Sequence, residues 1–180
     1  MPQPKENFTI KDIYDLPEGS RAELIGGQIY YQAVPSRAHQ EILMYVSKAI
    51  ANYIDKNGGP CKVYPAPFAV FLNGDGTTYL EPDINVICDR NKLTDKGCNG
   101  APDWIIEIVS PSSRSLDYYT KLSLYQAAGV REYWVVDPVK GVIMVYDLEN
   151  EAPTAIYGFQ DCIKVGIYES LYIDFSGLTI

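Results

Sequence analysis

Residues 103 to 113, DWIIEIVSPSS, constrain this chain more than any other stretch. Trp104, Ile105, Ile106, Ile108 and Val109 form the apolar run of a strand covered on both faces. Such strands belong to sheets with helices packed against them. Glu107 stands in the middle of the run. A carboxylate among Ile and Val side chains loses its hydration, so it must be protonated, paired or bound to a cation. Whatever compensates Glu107 marks a candidate site.

The rest of the chain supplies the elements of such a sheet. FTIKDIYDLPEGSR reads as a short helix and a turn, and AELIGGQIYY as a hairpin around Gly26-Gly27. Ile42, Val46, Ala49 (or Ile50) and Tyr53 recur at helical spacing over residues 36–57, and Asn57-Gly58-Gly59 stops that helix. In CKVYPAPFAVFL, Pro65 and Pro67 confine the first half of a strand to an edge or bulge. TYLEPDINVIC is a further strand, followed by a polar loop to about residue 100. After Glu107, SPSSRSLDYYTKLSLYQAAGV carries Ser/Asp capping chemistry, a helical pattern beginning near Ser115, and Gly129 as the stop. REYWVVDP is another buried strand, GVIMVYDL pairs with it across the Asp137–Gly141 turn, and the tail from 152 reads as edge strands. The sequence predicts one α/β (α+β) domain over residues 1–180, a mixed central sheet flanked by helices with extra antiparallel strands.

At 47% hydrophobic and 21% charged residues, the composition is that of a globular protein, not a disordered one. Fifteen Tyr residues suit strands and half-wet surfaces. The opening MPQPKENFTI has no basic-then-apolar leader, and no apolar run approaches the ~18 residues that span a bilayer. A cytoplasmic protein with no membrane contact is expected. Cys61, Cys88, Cys98 and Cys162 are scattered and His39 is the single histidine, so no zinc framework can be drawn and free buried thiols are expected. A net charge of −8 argues against a broad basic nucleic-acid surface.

Side chains alternate along a strand, so Asp83, Asn85 and Ile87 share one face. Consecutive strands usually neighbour each other, which lets Asp83 and Glu107 converge near the strand centres. Two like charges there repel unless one is protonated or a cation lies between them. Oxygen-only ligands suit Mg²⁺ or Mn²⁺. Glu23, among Ala22, Leu24 and Ile25, is a third embedded acid. The alternative compensation is Lys121. From Glu107 the strand climbs to Ser110, roughly 10 Å at ~3.3 Å per residue. The helix from Ser115 descends to Lys121, roughly 9 Å at ~1.5 Å per residue, so a helix packed back antiparallel brings the lysine level with Glu107. Asp117, one turn earlier, is a competing partner for Lys121. A structural ion pair and an acid–acid–lysine site for phosphoryl hydrolysis both remain open. His39 is either a satisfied histidine at the core margin or a contact to Glu23 or a substrate phosphate. Ser110, Ser112 and Ser113 suit helix capping, and Arg114 suits either the surface or a phosphate.

These residues resemble the PD-(D/E)xK, restriction-endonuclease-like nuclease superfamily, with Pro82-Asp83 as the PD and Glu107-Ile108-Val109 as the (D/E)xK without its lysine. More closely, AELIGGQIYY, His39, EPDINVI and IIEIVSPSSRSLDYYTKLSLYQAAGVREYWVVDP are similar to the Uma-type family of restriction-endonuclease-like proteins. The resemblance implies a divalent ion (Mg²⁺ or Mn²⁺) held by Asp83, Glu107 and the backbone carbonyl of Ile108, and a water that attacks a DNA phosphodiester. Glu23 matches the acid that an early element often contributes. Val109 is the departure, so Lys121 is expected to supply the ammonium from the helix. The implied function is a metal-dependent endonuclease. Its alternatives are a binding or regulatory module without catalysis, and a hydrolase of a small phosphate ester. Arg37, Lys92, Lys96, Arg114 and Lys121 are the cations expected near the cleft, and a homodimer would pool two such clefts.

Overall fold

The computed structural model describes residues 7–180, so the opening MPQPKE lies outside the described residues. A short helix, α1 (Ile10–Tyr14), leads into a hairpin of β1 (Ala22–Ile25) and β2 (Gln28–Tyr31). Helix α2 (Arg37–Asn57) follows, with Ser36 Oγ accepting the His39 N–H at its N-terminus and Gly58 closing it. Next come β3 (Lys62–Pro65), β4 (Val70–Phe71), β5 (Ile84–Ile87), β6 (Leu93–Thr94), β7 (Gly97–Asn99) and β8 (Trp104–Ile108). Helix α3 (Lys121–Ala128) leads to β9 (Glu132–Asp137), β10 (Val142–Asp147), β11 (Ala155–Gly158), β12 (Cys162–Lys164) and β13 (Tyr172–Asp174).

The central sheet has the order β11-β10-β9-β8-β5-β3. β8 and β9 run parallel, joined through α3, while the other neighbours run antiparallel. This is the mixed central sheet flanked by helices that the sequence predicts. Strand alternation sends two sets of side chains to opposite faces. Ile84, Val86, Trp104, Ile106 and Trp134 meet Ile42, Val46 and Ile50 of α2. On the other face Ile87, Ile105, Val109, Tyr133 and Val135 meet Tyr125 of α3. Glu107 points to this second face. Fully burying each Val or Ile contributes about 1.5–3 kcal/mol, so the apolar bulk of the sheet can carry a few desolvated acids.

Three expectations need correction. The helix after Glu107 is not regular from Ser115, because a π-helical turn over Leu116–Thr120 precedes α3. The polar loop to residue 100 holds β6 and β7, which join β4 in a small three-stranded sheet. Gly97 is required there, since a Cβ would sit 2.2 Å from the Ala69 carbonyl oxygen. Finally, the cysteines are not all free. β3 and β5 pair with Lys62 opposite Ile87, so the next position outward sets Cys61 opposite Cys88, and the two form a disulfide. Cys98 is free and buried, whereas Cys162 is free but exposed.

Candidate active site

Asp83 lies one residue before β5, not at a strand centre as the sequence suggests. It continues the β5–β8 register, in which Ile84 faces Ile106, so its cross-strand neighbour is Glu107. Two reciprocal contacts fix it: the Ile108 N–H donates to Asp83 Oδ2 at 2.8 Å, and the Asp83 N–H donates to Glu107 Oε2 at 3.3 Å. His39, in the first turn of α2, places Nε2 3.1 Å from Asp83 Oδ1. Glu23 arrives on the hairpin, which a bridge between Leu24 and Tyr79 ties to the approach to β5. The Glu81 N–H donates to Glu23 Oε1 at 2.9 Å.

Lys121 sits among these acids. Its Nζ lies 2.8 Å from Glu23 Oε2, 2.9 Å from Glu107 Oε1 and 3.5 Å from Asp117 Oδ1. The Tyr125 hydroxyl, one turn further along α3, also donates to Glu107 Oε1, at 2.8 Å. Glu23, Glu107 and Lys121 are each only 3% exposed, so solvent cannot screen these charges. At an effective dielectric of ~20, a contact near 3 Å is worth several kcal/mol, far more than on the surface.

The cluster is nonetheless short of positive charge. Glu23, Asp83, Glu107 and Asp117 line one cavity of about 590 Å³ with Lys121 as their buried cation, since the neighbouring Arg21 is bound to Glu81 at 2.7 Å. Burial drives the Glu107 carboxyl well above its ordinary range, against the pull of Lys121, and Asp117, Asp83 and Glu23 push it further. Burial likewise raises Asp117, to about 6. Burial alone would lower Lys121, but Glu107, Glu23 and Asp117 together hold it well above its usual value, so it is charged. The excess acid must take up protons or a cation.

Among the described residues no group of three or more His, Cys, Asp and Glu side chains is arranged as a cation cage. Mg²⁺ does not need one, because it keeps several waters and binds through one or two carboxylates. Glu107 Oε2 carries a single long contact and Asp83 is partly open to the cavity. This hard-oxygen set beside surplus negative charge fits such an ion.

The structure therefore brings Glu23, His39, Asp83, Glu107, Ile108, Asp117 and Lys121 together around one cavity. Arg114 stands apart, 3.6 Å from Asp137 Oδ2. The other expected cations have partners elsewhere: Arg37 with Glu41 at 2.6 Å, Lys92 with the Ala101 carbonyl at 2.8 Å, and Lys96 over the Tyr14 ring at 5.8 Å. Sequence reasoning missed Tyr125 and Glu81. Tyr125 follows Lys121 by one helical turn on an already assigned face, so its spacing was available as a signal. Glu81 acts on Glu23 through its backbone N–H, which leaves no trace in side-chain chemistry.

Residues 10–164 match the Uma2 family, described as "Putative restriction endonuclease", and the chain belongs to that family. A protein of Synechocystis sp., uncharacterized protein slr1290, is 25% identical over 139 residues, covering 77% of this chain and 72% of the relative. The crystal structure of a "putative nuclease" of the DUF820 group from Anabaena variabilis superimposes with a TM-score of 0.76 at 23% identity. That superposition covers 95% of this chain and 97% of the other, and it establishes the shared fold.

Proposed function

We propose that this protein is a metal-dependent endonuclease that hydrolyses DNA phosphodiester bonds. Asp83, Glu107 and the backbone carbonyl of Ile108 would hold Mg²⁺ or Mn²⁺. The bound ion would acidify a water and offset charge on the phosphate. The observation that carries this reading is Lys121, held between Glu23 and Glu107 in a cavity with surplus carboxylates. Lys121 fixes one oxygen of Glu107 and provides positive charge where a phosphate gathers negative charge. His39 steadies one oxygen of Asp83, and the Ile108 N–H steadies the other. Glu23 keeps the ammonium in place from the far side. Self-association as a homodimer would set two cavities along one duplex.

The engagement of Arg21, Arg37 and Lys92 within the protein favours a second reading, a hydrolase of a small phosphate ester. Nicking of supercoiled plasmid with Mn²⁺ or Mg²⁺ separates the two. The expected result is metal-dependent nicking by the wild type that disappears in Asp83→Ala. An intact plasmid alongside hydrolysis of a small phosphodiester would transfer the assignment to the second reading. If neither is cut, the chain keeps the fold as a binding module.

A further inference from the structure

A second hollow, of about 610 Å³, adjoins the acid cavity. Pro111 and Ser112 line both, so one loop forms the wall between them. The second hollow differs in kind. Arg114, Lys140, Tyr118, Tyr119 and Tyr146 form its lining, and Tyr119 is 71% exposed. On a chain of net charge −8, two cations and three phenol rings are gathered at one place.

The partners of these cations leave them able to bind more. Buried Asp137 lies beneath Arg114, but it already accepts the Tyr118 hydroxyl and the N–H groups of Val139 and Lys140, each at 3.0 Å. The Arg114 guanidinium stays 3.6 Å from it, beyond hydrogen-bond length, and its Nε has no partner. Lys140 Nζ lies 4.7 Å from the centre of the Tyr118 ring and, among the described residues, has no ion-pair partner. Tyr119 presents its ring beside them, 6.3 Å from that of Tyr118.

A single-stranded nucleic acid offers a negative phosphate and an aromatic face at every nucleotide, and proteins take it up with cations and stacked rings. A duplex keeps its bases paired and stacked, so it has none to offer an exposed tyrosine. We propose that the hollow of Arg114, Lys140 and Tyr119 binds unpaired nucleotides of single-stranded DNA flanking the bond placed at the acid cavity. Phosphates lie on Arg114 and Lys140, and a base lies against Tyr119. The path of the strand rests on the nuclease reading, whereas binding in the hollow does not require cleavage.

The test is fluorescence anisotropy with a labelled oligothymidylate of about eight nucleotides, in EDTA so that no metal enters. Lys140→Gln should flatten the log–log salt dependence of binding by about 0.7, the contribution of one single-strand phosphate contact. Tyr119→Ala should weaken binding by about tenfold or more. Arg114→Gln should act as Lys140→Gln does, but Arg114 rests on buried Asp137, so the exposed pair Lys140 and Tyr119 decides the outcome. Lys164 and Tyr172, paired across β12 and β13, give a matched control, and Lys164→Gln and Tyr172→Ala should bind as wild type. A blunt duplex should bind with no sensitivity to Tyr119→Ala. Wild type that fails to bind the oligonucleotide, or Tyr119→Ala and Lys140→Gln that bind like wild type, would overturn the proposal. Absent plasmid nicking with the expected oligonucleotide results removes the nuclease reading alone. Plasmid nicking with unaffected oligonucleotide binding removes the hollow alone.

Discussion

Two glutamates interrupt the apolar strands at the centre of the sheet, and the protein satisfies them in opposite ways. Glu107 lies on β8 and Glu132 on the neighbouring β9, at 3% and 2% exposure. Burial raises the carboxyls of both. Glu132 meets neutral donors: Trp134 Nε1 at 2.6 Å on one oxygen and the Ile167 N–H at 2.9 Å on the other. The chain even makes room for it, since a Cβ at Gly166 would come within 3.0 Å of Glu132 Oε2. Glu107 meets an ammonium that it shares with Glu23 and Asp117, and it opens onto a cavity. Burial and a raised pKa are therefore common to scaffold and site. The partner tells them apart, for neutral donors close the account of Glu132 while Glu107 remains in a cluster with unbalanced charge.

The largest expected effect comes from removing the shared cation. Lys121→Met keeps much of the stem's packing but strands three buried acids, which costs about 3–5 kcal/mol in metal-free buffer at neutral pH. Urea denaturation should show the loss shrinking in acid, as the acids protonate, and in Lys121→Met combined with Glu107→Gln. Stability equal to wild type at neutral pH would mean that Lys121 is not the compensation for Glu107.

The second expectation sets the two glutamates against each other. Glu107→Gln retains an acceptor for Lys121 and Tyr125, turns its NH₂ against only the long 3.3 Å contact from the Asp83 N–H, and relieves repulsion among the acids, so metal-free stability should stay level or rise. Mn²⁺ binding by calorimetry should fall strongly, and any cleavage by roughly 10²-fold or more. Either orientation of Gln at position 132 turns its amide NH₂ toward an N–H donor. Glu132→Gln should therefore lose about 1–3 kcal/mol and leave Mn²⁺ binding unchanged. The reverse pattern would undo the distinction between scaffold and site.

The part of this site that could be read in the sequence is the part set by fixed rises. Strand and helix geometry predict Lys121 level with Glu107, and their separation is 2.9 Å. Even the π-helical turn over Leu116–Thr120, invisible in residue types, does not displace that contact. The exact setting of Asp83 was hidden, because β5 begins only after it and its place depends on exchanged contacts with Glu107 and Ile108. The Cys61–Cys88 bond was hidden for a related reason. It follows from the β3–β5 register, and two cysteines 27 residues apart carry no register of their own.

A third expectation concerns pH. The folded protein holds Asp117 protonated to about pH 6, whereas the ordinary carboxyl of the unfolded chain releases its proton near 3.8. Between those values the native state binds more protons than the unfolded state, so this group makes stability fall as pH rises, and the loss levels off above 6. In EDTA, Asp117→Asn should therefore gain on wild type progressively from about pH 4 to 6 and hold a constant difference above. A difference that does not vary across that window would mean that Asp117 is an ordinary, ionised partner of Lys121.

The smallest effect separates the hydrogen bond of Tyr125 from the ion pair beside it. Its hydroxyl is buried and donates to the same Glu107 oxygen that contacts Lys121. Tyr125→Phe keeps the ring against Tyr133, 5.0 Å away centre to centre, and deletes only that donor. One hydrogen bond to a charged group contributes about 1.5–3 kcal/mol, and the remaining Lys121 contact should hold the loss to the lower end. Because the donor favours the charged carboxylate, its removal should raise the Glu107 pKa further, which carbon-detected NMR of the carboxyl would register. Mn²⁺ binding should then weaken most at low pH, where proton and metal compete for the same oxygens. An unchanged carboxyl titration would leave Tyr125 as packing alone and Lys121 as the stabiliser of charge at that Glu107 oxygen.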